Sequence, residues 1–200
     1  ITLALILSVS CKAQILSLET KVKDIPVGAY VKDLNNEMDK YVGTWQWTNG
    51  NDVLTIVLQK KNNIYDGEYY EDLLVGEYSY ASNGVEIVNT LSSFNDFTII
   101  GRKHNISGNF LLNRLVWVKC LECGQNEKRF ALNFYDPEFP YLTSIKIVLR
   151  HLPLELTESG TIPSTKMTAT IFATHGVSIP DENSPTVPRV PYGEYLMVKQ

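Results

Sequence analysis

Cys120-Leu121-Glu122-Cys123 sets two thiols three residues apart, a spacing that serves a redox pair, half of a zinc site or a structural disulfide. Thioredoxin-type chemistry needs a helix N-terminus to lower one thiol's pKa, and this pair falls between strand-like runs. Zinc needs two further ligands, yet His104, His151 and His175 stand singly and without ligand spacing. We therefore read Cys120 and Cys123 as a disulfide or an inert thiol pair at a hairpin tip, with metal binding and redox catalysis as the alternatives. No metal site and no cofactor is expected.

Glu68-Tyr69-Tyr70-Glu71-Asp72 pairs carboxylates with aromatic rings, a mixture that could bind a sugar or a cation. Strand alternation puts Glu68 and Tyr70 on one face and Tyr69 and Glu71 on the other, so the segment reads as a solvated strand end. Trp47 and Trp117 suit either a sheet surface or a cavity wall. There is no Gly-x-Ser-x-Gly elbow and no phosphate-binding loop, and Asn105-Ile106-Ser107 is a chance-length match to a glycosylation acceptor. No catalytic residue can be named, and a hydrolase would require a histidine to converge with a carboxylate that lies far away in sequence.

The elements that must position these residues belong to a chain of 200 residues, enough for one domain with a sizeable core. Hydrophobic residues make up 44% and charged residues 20%, as in a globular protein, and the net charge of −4 without a Lys/Arg cluster argues against nucleic acid. Residues 1–10 carry no charge and hold the run Leu3-Ala4-Leu5-Ile6-Leu7, which reads as the apolar region of a secretion signal truncated at its start. Ser10-Cys11 then resembles the end of a bacterial lipobox, in which the thiol is acylated and becomes the mature N-terminus. Ser8 departs from the aliphatic residue usual at that position. Ordinary cleavage after Cys11-Lys12-Ala13 and a buried strand over residues 1–9 are the alternatives. On the first reading Cys11 carries lipid, residues 11–33 form a flexible tether interrupted by Pro26 and Gly28, and residues 34–200 form the domain.

Leu34, Met38 and Tyr41 recur at helical spacing, with Asp33 or Asn35 as N-cap, and predict one or two helical turns. Thereafter short runs rich in Val, Ile, Tyr, Phe and Thr alternate with Gly, Asn, Asp and Pro clusters, the pattern of an antiparallel meander. Strands are predicted over 43–48, 53–60, 65–70, 76–80, 85–90, 97–102, 112–119, 129–135, 144–150, 166–172 and 194–199. Phe130, Leu132 and Phe134 share a face, as do Ile145, Ile147 and Leu149, so the sheet has one buried side. Asn49-Gly50-Asn51-Asp52 and Ala81-Ser82-Asn83-Gly84 predict hairpin turns. Pro180, Pro185, Pro188 and Pro191 make 179–191 a rigid loop.

Glu37-Met38-Asp39-Lys40-Tyr41-Val42-Gly43-Thr44-Trp45 resembles the first motif of lipocalin-like proteins, in which a short helix delivers Gly-x-Trp onto the first strand of an up-and-down barrel. That resemblance implies that Gly43 permits close backbone approach, that Trp45 plugs one end, and that Lys199 lies over the indole. Gln46 departs from the bulky residue usual after the Trp, and Lys199 from the usual Arg. Over nearly its full length, from Ser-Cys-Lys-Ala-Gln to Tyr-Leu-Met-Val-Lys-Gln, the chain is similar to a family of uncharacterised Bacteroidota-type lipoproteins. This implies export and a barrel-like fold, and no activity.

The fold class is accordingly all-β, a lipocalin-like antiparallel barrel or half-barrel with a short N-terminal helix, and a β-sandwich if the sheet fails to close. The expected function is a membrane-anchored module of the cell envelope that takes a small apolar ligand inside the barrel. The alternative is a scaffold whose outer surface meets another envelope protein. The lack of an acidic run after Cys11 places it, by resemblance to lipoprotein sorting signals, at the periplasmic face of the outer membrane.

Overall fold

A computed structural model describes residues 14–153, 155–157, 160–162, 165–175 and 180–200. The signal over 1–10 and the lipidation position Cys11 lie outside the described residues. Strands run in the order β1 (Ile15–Ser17), β2 (Tyr30–Lys32), β3 (Gly43–Asn49), β4 (Asp52–Tyr65), β5 (Tyr70–Ser82), β6 (Val85–Asn89), β7 (Ile106–Leu112), β8 (Arg129–Phe134), β9 (Ile145–His151), β10 (Glu155–Thr157), β11 (Gly160–Ile162), β12 (Lys166–Ala173) and β13 (Gly193–Lys199).

Eight of them, β3, β4, β5, β7, β8, β9, β12 and β13, form an antiparallel up-and-down barrel. It closes where Lys199 of β13 pairs with Trp45 of β3. The predicted barrel is therefore present, without the sandwich alternative. Alternation explains it: Leu54, Ile56 and Leu58 of β4 point inward with Phe130, Leu132 and Phe134, Ile145, Ile147 and Leu149, and Met167, Ala169 and Ile171. Both predicted Asn/Gly hairpins form, with φ of +59° at Gly50 and of +51° and +78° at Asn83 and Gly84. Gly76 is required where β5 crosses β4, because a Cβ there would lie 2.3 Å from the Val57 carbonyl oxygen.

Long β5 serves three neighbours on the edge opposite β4. Its first residues pair with β2, its middle with β7 and its end with β6. The segment read as a tether thus contributes β1 and β2, two short parallel strands, to the sheet. Asp72 fastens them: its carboxylate accepts from the Tyr30 hydroxyl at 2.5 Å and from the amides of Asp33 and Asn63 at 3.0 Å. Burial and that carboxylate push the Tyr30 phenol up to about 12.

Four local expectations are corrected. The predicted N-terminal helix is only a 3-10 turn over Asp39–Tyr41, while the Asp33 carboxylate accepts the amides of Glu37 and Met38. Met38 and Tyr41 share helical spacing because both plug the barrel end, and Leu34 is exposed. Residues 66–69 form a turn in which Asp66 accepts the amides of Glu68 and Tyr69. Residues 97–102 lie in a loop tied to β5 by Glu77, whose carboxylate meets His104 Nδ1 at 2.9 Å and the Asn105 amide nitrogen at 2.6 Å. Only Leu112 of 112–119 is in a strand. The rest crosses the outside of the barrel, where Val116 and Val118 pack on Leu112, Ala131 and Val148.

Candidate functional site

The barrel interior is filled. Tyr41, Trp45, Tyr78, Phe130, Phe134 and Met38 are buried along the axis with the aliphatic rows around them. Tyr78 stacks on Phe134 at 4.6 Å and Tyr41 meets Phe130 edge-on at 5.5 Å. One end is sealed by the lipocalin-like motif residues: the Trp45 indole donates to the Tyr41 carbonyl at 2.7 Å, and the Lys199 ammonium lies 5.4 Å from the indole centroid. Gly43 leaves room for the Lys199 stem, since a Cβ there would approach Cε to 2.8 Å. These side chains occupy the space that an apolar ligand was expected to fill.

The concave surface lies outside, over β7 and β8. A β-bulge between Ser107 and Phe110 inserts one residue into β7. It turns Ser107 and Phe110 outward, opposite Asn133 and Ala131, and sends Asn109 toward β5. The small side chains Ser107 and Ala131 make the floor of a recess of about 250 Å³ walled by Tyr69, Arg102, Phe110, Trp117 and Lys146. It shares Val22, Tyr69, Asn109 and Phe110 with a cleft of about 340 Å³ that runs on between the N-terminal segment and the 113–128 loop. The two form one groove.

That loop carries Trp117 and is firmly held. Arg129 lies under it and donates to the carbonyls of Val118 and Asn113, both at 2.7 Å. Cys120 and Cys123 are joined by a disulfide, with Cα atoms 5.3 Å apart. Arg150 bonds Glu127 at 2.6 Å and Glu122 at 2.9 Å. Trp117, about half exposed, adopts φ +56°, a conformation rare for a bulky residue, and stacks on the equally exposed Phe110 at 5.5 Å.

On the other side of the recess, Glu71 is buried and takes two bonds from Arg102, both at 2.7 Å, and one from Asn109 at 2.8 Å. The solvated strand end read from sequence is therefore a buried anchor: strand β5 is covered there by Arg102 and by β2. Lys146 differs from Arg102. Its ammonium bonds the Asn133 side-chain oxygen, and among the described residues no carboxylate pairs with it. Burial, then the neighbouring Arg102 cation, lower its pKa.

The histidines do not converge. His104 is under the 91–105 loop against Glu77, His151 packs on Tyr41 and Trp45 at the sealed end, and His175 follows β12 beside Thr174. Among the described residues no group of His, Cys, Asp and Glu could hold a metal ion. Sequence reasoning singled out Tyr69 and Trp117 but missed Arg102, Asn109, Phe110, Asn133 and Lys146. Alternation on β8 and β9 marks Asn133 and Lys146 as outward, though not as members of one recess.

A family model described as a family of unknown function matches residues 1–200. The chain belongs to that family, DUF6705. No curated protein and no solved structure matches the chain. Family membership thus agrees with the expectation of an uncharacterised family and brings no activity with it.

Proposed function

We propose that this chain is an exported lipoprotein of the cell envelope, anchored through Cys11, in which the barrel is a scaffold and the exterior groove is the binding surface. The observation that carries this reading is the contrast between an interior packed with aromatic and aliphatic side chains and an outer groove lined by half-exposed rings. The anchor rests on the residues at Ser10-Cys11, and the periplasmic face of the outer membrane is the location we assign. No helix among the described residues is long and apolar enough to cross a membrane.

The test has two arms in the native host. An alkyne fatty acid should label the wild-type chain and not the Cys11→Ala variant, which should leave the membrane fraction. Native mass spectrometry of the detergent-extracted chain should show an adduct that Trp117→Ala loses and that substitutions inside the barrel do not. An adduct indifferent to Trp117, or no adduct, would remove the groove from the reading.

A second reading, docking to another envelope protein, is favoured by Tyr65 and Tyr70, exposed rings 5.1 Å apart at the tip of the β4–β5 hairpin. Crosslinking through a photoreactive residue at 65 checks it.

A further inference from the structure

With the groove taken as the binding surface, a premise on which the ligand assignment rests, its chemistry narrows the ligand. Three kinds of group converge in the recess. The first is an aromatic pair, Phe110 stacked on Trp117 with 26° between their planes, which leaves one face of each ring outside the stack. Aromatic faces of this kind accept the C–H face of a sugar ring or another flat ring. The indole is held in its unusual backbone conformation by a loop fixed through Arg129 and the disulfide, which is the sort of local strain that accompanies binding sites.

The second is a set of neutral hydrogen-bonding side chains. Asn133 and Tyr69 line the recess beside Ser107 and Asn109, whose side chains are bonded to Arg102 and Glu71, and Asn113, Gln125 and Asn126 line the cleft that continues it. Amides offer both a donor and an acceptor, which matches hydroxyl groups that need both. Most of the ionic groups along the groove are paired, Lys128 with Glu19, Arg102 with Glu71 and Arg150 with Glu127, and a polar groove of this kind suits a string of sugar rings better than an acyl chain.

The third is a cation without a counter-charge. Arg102 is neutralised by its paired bonds to Glu71, whereas Lys146 reaches only the Asn133 oxygen and stands against the same recess. A half-buried ammonium in this position is stabilised by a ligand anion. One unpaired cation matches a single negative charge, so a carboxylate suits it better than a doubly charged phosphate. The recess, at about 250 Å³, falls below the size of pockets for drug-sized molecules and suits one ring, with the adjoining cleft open to the next.

We propose that the groove binds an acidic oligosaccharide, with a uronate-type ring against the Phe110–Trp117 pair, its carboxylate on Lys146, and neighbouring rings lying along the cleft toward Asn113 and Gln125.

The experiment is isothermal titration of the detergent-solubilised full chain with trigalacturonate and with a trisaccharide of glucuronate and N-acetylglucosamine, each beside its methyl ester, which keeps the skeleton and removes the charge. At least one acid should bind on the order of tenfold or more tighter than its ester, because a hydrogen bond to a charged partner is lost in the ester. Lys146→Gln should abolish that difference by weakening the acid more than the ester, and Lys146→Arg should restore most of it. Trp117→Ala should weaken acid and ester alike by about tenfold or more. Thermal midpoints of the variants establish that they are folded. Equal binding of acid and ester, or an acid preference that survives Lys146→Gln, overturns carboxylate recognition and leaves the groove standing. Failure of both acids and both esters overturns the saccharide assignment, and the Trp117-dependent adduct then decides separately whether the groove binds anything.

Discussion

Phe130→Ala tests whether the barrel is solid. Phe130 is fully buried on β8, flanked in register by Leu149 of β9 and Leu111 of β7 and met edge-on by Tyr41. Its neighbours belong to paired strands and cannot collapse into the void without breaking the closed hydrogen-bond ladder. Truncation should therefore cost the full range for a buried Phe, about 3–5 kcal/mol. At about 2–4 °C per kcal/mol for a chain of this size, the thermal midpoint should fall by roughly 6–20 °C. Urea titration followed by far-ultraviolet circular dichroism gives the free energy directly, with Phe110→Ala as the control. That ring is half exposed on the outer face, and its loss should cost no more than about 1.5 kcal/mol, the worth of the stack on Trp117. A loss below about 1 kcal/mol for Phe130→Ala would mean that the interior already holds free space, and the scaffold reading would fall with it.

Three further outcomes are expected. Burial alone would raise the pKa of the Asp136 carboxyl, but bonds from the Arg189 side chain and backbone hold it below its ordinary value. Its stabilising contribution is therefore present above about pH 4 and lost as pH falls through the depressed value. Urea midpoints at about pH 5 and about pH 2.5 should diverge less in Asp136→Asn than in the wild type, and equal divergence would refute the assignment. Replacing Cys120 and Cys123 by Ser should cost about 2 kcal/mol, the small value for so short a loop, measured by thermal unfolding, with Trp117 fluorescence shifting before the global transition. Lys199→Ala should cost about 0.5–2 kcal/mol in urea unfolding and Lys199→Arg less, if the ammonium over Trp45 is attractive.

The barrel was legible where one side of a strand faces the core and the other faces water. On β8 and β9, Phe130, Leu132, Phe134, Ile145, Ile147 and Leu149 alternate strictly, and their strands fall within a residue or so of the predicted bounds. The prediction failed where the outer face is covered as well. Val116 and Val118 alternate as they would in a strand, but they bury themselves on Leu112, Ala131 and Val148 outside the barrel, so the period came from a second, smaller core. Residues 65–70 failed differently. Their β-forming side chains surround Asp66 and Gly67, and Asp66 bonding to the amides of Glu68 and Tyr69 overrides the propensity of two tyrosines.

The groove was illegible for a related reason: it is made by coverings rather than by a motif. Its residues come from the 66–69 turn, the 101–103 turn, bulged β7, the 113–128 loop, β8 and β9, no two of which are linked by a spacing that chemistry would impose. What joins them is register. Ser107 opposite Asn133, and Asn133 opposite Lys146, form one outward row across three strands, and the β7 bulge takes up one extra residue and so keeps Phe110 outward beside that row. Deleting Asn109 tests this. It would restore a regular β7 in which Phe110 still lies opposite Ala131 on the outer face, so the stack on Trp117 should persist while the amide bonds to Glu71 and the Asp72 carbonyl are lost. The barrel should survive, since Ile106, Phe130 and Leu132 keep their inward positions, and Trp117 emission should stay near that of the wild type. Emission shifted toward that of a solvent-exposed indole in a folded deletion variant would show that the bulge itself, and not the register it keeps, builds the aromatic pair.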